Sequence, residues 1–252
     1  MNDIRENLKK NPLYYTHSIS IELSNICNYS HLHKLCPAHY RKEKKVMSLG
    51  LIEKILIELR DLGFDKTIYP FGYSEPLIDP RFFLVLDMIK KYIPKADIKL
   101  YTNGFFLDKT MIRELENYDI KKMTVSYYMP EEEERISKIL KEVREEGIAN
   151  RIRGARRYPC EKTMNNKVEW YDRKPINSKI PCNAPLGYLG INVDGNVTLC
   201  CHDWKYFNTF GSVKKQTLKE IITSDKVIST FNSLRKGERY KFFLCSRCTK
   251  YR

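Results

Sequence analysis

The residues best able to do chemistry in this 252-residue chain are its eight cysteines, and they are unevenly placed. Cys27 and Cys36 lie near the start, Cys160 stands alone, and Cys182, Cys200, Cys201, Cys245 and Cys248 crowd the last third. The opening MNDIRENLKKNP has no apolar core of a secretory signal, which predicts a cytoplasmic protein. Cysteines there serve as thiols or metal ligands rather than disulfides. Their distribution predicts two separate metal centres.

The C-terminal set, Cys182, Cys200, Cys245 and Cys248, has the arrangement C-x17-C…C-x2-C. Asp194-Gly195-Asn196 between apolar runs predicts a hairpin that carries Cys200 back toward Cys182. The final CxxC offers two thiolates from one turn. Four thiolates suit a structural zinc or a [4Fe-4S] cluster. Cys201 points the other way on a strand and is the alternative to Cys200. The N-terminal set is a loop from Cys27 to Cys36 that also contains His31 and His33. Two thiols and an imidazole again suit zinc or an iron–sulfur cluster.

The elements that must hold these residues follow from periodicity. Ser18–Leu23, Thr67–Phe71, Ile98–Tyr101, Met123–Tyr127 and Ile148–Arg153 read as strands. Between them, Ile52, Ile55, Leu56 and Leu59, then Phe82, Val85, Leu86 and Ile89, then Met111, Ile112 and Leu115, then Ile136, Leu140 and Val143 fall at helical spacing. Asp108 is placed to cap the third of these helices. Repeated βα units predict a parallel sheet with right-handed crossovers. About five strands and four helices fall short of a closed (β/α)8 barrel. The fold class is therefore α/β: an open, partial (β/α) barrel with a small C-terminal β-hairpin and helix unit that binds a cluster. The chain divides into a barrel over residues 1–157, a linker or substrate loop over 158–181, and a cluster-binding unit over 182–252. Two short helices, 217–223 and 225–235, belong to the last. In such a sheet the C-terminal strand ends carry the chemistry, and Cys27, the run Gly72-Tyr73-Ser74-Glu75-Pro76, Asn103 and Ser126 all follow strands.

With these residues in place, the chain resembles the radical S-adenosylmethionine enzymes. That family carries CxxxCxxC after the first strand of a partial barrel, where three thiolates hold a [4Fe-4S] cluster whose fourth iron binds S-adenosyl-L-methionine. The Tyr73-Ser74-Glu75-Pro76 run is similar to the family's GGEP motif, which holds the methionyl amino group. Asn103 and Ser126 stand where members contact ribose and carboxylate. The C-terminal third resembles the twitch or SPASM extension, with one auxiliary cluster at Cys182, Cys200, Cys245 and Cys248. The resemblance implies two [4Fe-4S] clusters, a flavodoxin- or ferredoxin-type electron donor, and an oxidoreductase that uses a 5′-deoxyadenosyl radical. In such members the auxiliary cluster takes the electron that the substrate leaves.

The cluster loop departs from that pattern. It lacks the middle cysteine and has two extra residues. Counted forward from Cys27, the missing ligand falls at His31; counted back from Cys36, it falls at His33. The other candidates are Cys160, Cys201 or His39 reaching in from elsewhere, or an altered or lost cluster. Imidazole can ligate cluster iron, and being neutral it raises the potential.

The remaining features bear on substrate and partners. Lys plus Arg is 45 against 31 Asp plus Glu, a net charge of +14 that favours anionic partners or is simply a solvated basic surface. Arg151, Arg153, Arg156 and Arg157 follow the fifth strand, where Arg153 in particular would grip a phosphate or carboxylate, or else form a solvated strand end. His202 and Asp203 read as a base, as partners behind the cysteines, or as a turn. Tyr14, Tyr15, Trp170 and Tyr171 read as packing rather than a stacking platform. No apolar run is long enough for a membrane span, and no RNA-binding signature accompanies the basic residues, which argues against nucleic acid. Three functions compete: radical oxidation of a small anionic or polyol metabolite; radical modification of a ribosomally made peptide, against which stands the mere 17 residues before the first strand; and a degenerate, non-catalytic metal-binding scaffold.

Overall fold

A computed structural model describes residues 4–32, 36–158, 172–176 and 178–249. Its centre is one sheet of eight strands. These are β1 (Ser18–Ile21), β2 (Thr67–Tyr69), β3 (Asp97–Thr102), β4 (Lys122–Tyr127), β5 (Ile152–Arg156), β6 (Tyr188–Ile191), β7 (Asn196–Thr198) and β8 (Thr209–Ser212). The order is β5-β4-β3-β2-β1-β6-β7-β8. The first five strands are parallel, as the alternating pattern predicts.

The C-terminal third does not hang beside this sheet but continues it. β6 pairs parallel with β1, placing Ile19 between Ile68 and Leu189. The hairpin at Asp194-Gly195 then adds β7 and β8 antiparallel. β1 is thus flanked on both edges, which suits its nearly complete burial.

The helices are α1 (Ile4–Lys10), α2 (Pro37–Tyr40), α3 (Leu49–Asp61), α4 (Phe82–Tyr92), α5 (Lys109–Glu116), α6 (Pro130–Glu145), α7 (Ala184–Gly187), α8 (Leu218–Ile222) and α9 (Asp225–Arg235). The helical periodicities of α3 to α6 are the buried faces: Ile52, Ile55, Leu56, Val85, Leu86, Ile112, Ile136 and Val143 are at most 1% exposed. Asp108 caps α5 as its position predicts, accepting from the Met111 N–H at 2.7 Å. Ser48 and Ser224 cap α3 and α9 in the same way.

The structure adds α1, α2 and α7 to the elements of the sequence reading, and two strands differ from it. The fifth strand begins at Ile152 rather than Ile148, because Gly147 and Ala149 take positive φ (82° and 64°) and turn the chain first. β8, Thr209–Ser212, has no alternating pattern and is half-buried throughout. Of the segment expected to be a linker or substrate loop, residues 159–171 and 177, with Trp170 and Tyr171, lie outside the described residues. No helix among the described residues is long and apolar enough to cross a membrane.

Candidate functional site

The C-terminal ends of β1 to β4 open onto a cavity of about 160 Å³. Cys27 and Cys36 line it, and so do Tyr73, Ser74, Glu75, Asn103 and Ser126 from the later strand ends. The sequence therefore brings both N-terminal cysteines and all five strand-end residues into one chamber.

Glu75 is 2% exposed and ties two strand ends together. One carboxylate oxygen accepts from the Leu77 N–H (3.1 Å) and the Thr102 hydroxyl (2.6 Å), the other from the Asn103 N–H (2.7 Å). Burial pushes its pKa up to about 7, against the pull of these donors. Asn103 in turn directs its amide to the Asn28 side chain (2.8 Å) and toward the Cys27 sulfur (4.0 Å). The Ser126 hydroxyl bonds to the Tyr128 phenol on the same wall. Burial holds the Cys27 thiol up at about 12, so metal loading must displace its proton.

Beside this chamber lies a buried ion pair that the sequence reading did not single out. Glu22, 3% exposed at the end of β1, pairs with Arg41. The same carboxylate accepts from the Tyr73 N–H (3.0 Å), the Val193 N–H (3.1 Å) and the Tyr206 hydroxyl (3.0 Å). The Arg41 guanidinium stands 5.4 Å from the Tyr73 ring centre and 5.1 Å from that of Tyr206. Glu22 leaves no room for a side chain at position 72: a Cβ on Gly72 would meet its carboxylate at 2.7 Å. The available signal was the alternation Ser18-Ser20-Glu22, polar on one face of a strand flanked by apolar residues.

The tail cysteines surround a second cavity, of about 290 Å³, lined by Cys182, Cys200, Cys201, Cys245 and Cys248. Cys182 and Cys200 pack on the cluster of Leu199, Leu234 and Cys245, and Cys200, Cys248 and Tyr73 pack on that of Trp204 and Leu244. The His202 N–H points to the Cys200 sulfur at 3.4 Å. Cys201 instead offers its backbone carbonyl to the Tyr73 hydroxyl. Burial raises the Cys245 thiol to about 12 and the Cys200 thiol well above its ordinary value. A chamber of thiols with an N–H aimed at one sulfur has the donor chemistry of an iron–sulfur cluster. Asp203 is committed locally, accepting from the Phe207 and Asn208 N–H groups at 3.1 and 2.8 Å.

The histidines and Arg153 stand differently. His31 is exposed on a turn and does not line the first cavity. His33 and Cys160 lie outside the described residues. His39 is exposed, with its ring nitrogen 2.9 Å from the Ser30 carbonyl. Cys201 lines the second cavity and not the first. Among the described residues, no three His, Cys, Asp or Glu side chains gather around a single-ion site. Arg153 pairs in register with Thr124, two residues before Ser126 on one face of β4. It is exposed.

The radical SAM superfamily profile matches residues 22–164, and an iron–sulfur cluster-binding domain, SPASM, matches residues 182–249. The chain is 27% identical over 240 residues to the S-adenosyl-L-methionine-dependent 2-deoxy-scyllo-inosamine dehydrogenase of Niallia circulans, covering 91% of each. Its fold is similar to the crystal structure of BtrN in complex with AdoMet and 2-DOIA, at a TM-score of 0.80, 25% identity and 94% coverage of both chains. Streptococcus suis SuiB bound to S-adenosylmethionine shares the fold more loosely, at a TM-score of 0.55 and 13% identity, over 96% of this chain and 74% of that one.

Proposed function

Since the chain belongs to the radical SAM superfamily and is an S-adenosylmethionine-dependent radical enzyme with an auxiliary iron–sulfur domain, we propose that it dehydrogenates a small polyol or aminocyclitol. The observation that carries this reading is that Tyr73 joins the two cysteine-lined cavities, lining the first and donating its hydroxyl to the backbone carbonyl of Cys201, which lines the second. A substrate beside Tyr73 would lie between a hydrogen acceptor and an electron acceptor. An alcohol becomes a carbonyl by losing one hydrogen atom, one electron and one proton, so it needs both.

Cys27 and Cys36, with a third ligand from the loop between them, would hold the first [4Fe-4S] cluster. Cys182, Cys200, Cys245 and Cys248 would hold the second. Once loaded, the first site would supply radical hydrogen-atom abstraction and the second an acceptor for one electron. The protein's own share is placement and exclusion of water. Glu75 locks the ends of β2 and β3 so that Ser74 and Asn103 keep their positions on the chamber wall. Asn103 aims an N–H at the Cys27 sulfur. Arg153, one strand over on the same face of the sheet as Ser126 but not on the chamber wall, would offer a planar donor to substrate oxygens beyond the chamber. The charge of +14 suits an acidic electron carrier of the flavodoxin or ferredoxin type.

The test is anaerobic incubation of the reconstituted chain with S-adenosylmethionine, dithionite and 2-deoxy-scyllo-inosamine or related polyols. The expected products are 5′-deoxyadenosine and a substrate lighter by two hydrogens. Absence of 5′-deoxyadenosine under every substrate overturns radical chemistry. Its formation without an oxidised polyol overturns the substrate class and turns attention to a peptide.

A further inference from the structure

Arg239 is 1% exposed and is the bulkiest fully buried side chain among the described residues. It sits in a single 3₁₀ turn, Arg239–Lys241, that follows α9. Gly237 makes this placement feasible: its φ is +78°, and a Cβ there would lie 1.9 Å from the Lys179 carbonyl oxygen. The two basic residues of the turn part company. Lys241 stays at the surface with Glu238, whereas Arg239 turns inward and lines the cavity that holds Cys182, Cys200, Cys245 and Cys248. Its Nη2 donates to the Pro181 carbonyl at 3.4 Å, one residue before Cys182.

A guanidinium is always protonated, and its charge acts on any other charge that stands nearby. A cluster held by four thiolates is such a charge, and it becomes more negative by one on accepting an electron. A cation at the wall of that cavity favours the reduced form, since charge and hydrogen bonding around a cluster set its potential. We infer that Arg239 is a positioning residue that raises the reduction potential of the auxiliary cluster and so fits it to accept the electron left on the substrate. The inference rests on those four cysteines being the ligands. The donor of that electron is the α-hydroxyalkyl radical of the substrate, which becomes a carbonyl as its hydroxyl proton passes to solvent.

The experiment is an EPR-monitored redox titration of the full chain carrying Cys27→Ala and Cys36→Ala, so that only the tail cluster titrates. Arg239→Gln is expected to shift the reduction equilibrium at least tenfold toward the oxidised form, a drop of about 59 mV for one electron, with iron per chain unchanged. Arg239→Lys, which keeps the charge, is expected to stay near the parent value. An unchanged potential in a loaded Arg239→Gln protein overturns the inference, as does a Lys variant shifted as far as the Gln variant. If Arg239→Gln fails to load, loading of Arg239→Lys still supports a charge requirement, and loss of iron from both makes the residue merely structural and overturns it. Cys245→Ala in the same background separates the two readings. If it keeps its iron, the ligand set is wrong, whatever Arg239 does.

Discussion

The Tyr73 hydroxyl donates to the backbone carbonyl of Cys201, joining the loop after β2 to the residue beside the proposed ligand Cys200 across 128 positions of sequence. Tyr73 also lines the first cavity and donates its backbone N–H to Glu22. One residue thus lines the strand-end chamber, bonds to the Glu22–Arg41 pair and bonds to Cys201 at the tail cavity.

Tyr73→Phe should therefore weaken the join without removing either ligand set. It leaves the Cys201 carbonyl without this donor, and an unsatisfied buried acceptor costs about 1–3 kcal/mol. A lower urea midpoint for the metal-free chain is the expected result, with iron per chain unchanged after reconstitution. A loss of iron instead would mean that Tyr73 shapes the ligand geometry itself.

The Glu22–Arg41 pair is the second joint. Glu22 is buried and Arg41 largely so (side chains 3% and 10% exposed), and removal of one partner strands the other's charge, at a cost of about 3–5 kcal/mol. Glu22→Gln and Arg41→Met should each destabilise the chain strongly. The double variant should recover part of the loss, because neither charge is left alone. A double-mutant cycle in urea measures this directly, and simple additivity would show that the two do not act as a pair.

How much of this could be read from the chain follows from range. The βα alternation and the Asp108 cap depend on neighbours in sequence, so α3 to α6 and the first four strands were legible, and the strand-end residues fell together because parallel strands share one chemical end. Pairing of β6 with β1 joins residues about 170 positions apart, and nothing local to Tyr188–Ile191 marks that partner. Glu22, Arg41 and Tyr206 meet for the same reason and stayed hidden. Arg239 reads in sequence as one more basic residue of a +14 chain; only its burial sets it apart.

Glu75 gives a pH signature. Its folded pKa of about 7 lies above the ordinary carboxylate value of 4.5 because burial disfavours the charge. Between those values the folded chain binds more protons than the unfolded one. Stability from this group is therefore full below about pH 4.5 and falls as pH rises toward 7, by up to about 1.4 kcal/mol per pH unit. Glu75→Gln should flatten that part of the profile in urea titrations of the metal-free chain. An unchanged slope would assign the pH dependence to other groups.

The N-terminal loop is open to a sharper test. Iron after anaerobic reconstitution should be about eight per chain for two four-iron clusters, and about four in either Cys27→Ala or Cys245→Ala. His31 is exposed and off the cavity wall, so His31→Ala should keep about eight irons. His33→Ala is then the substitution expected to empty the first site, because counting back from Cys36 puts an imidazole there in place of the absent thiolate. An iron count that falls with His31→Ala and holds with His33→Ala would reverse the register. Full loading in both would hand the third position to another ligand. The quantity to follow beside iron is the first cluster's EPR signal with and without S-adenosylmethionine. A change on adding it requires an open iron, and so tests whether the irregular loop still leaves one position free.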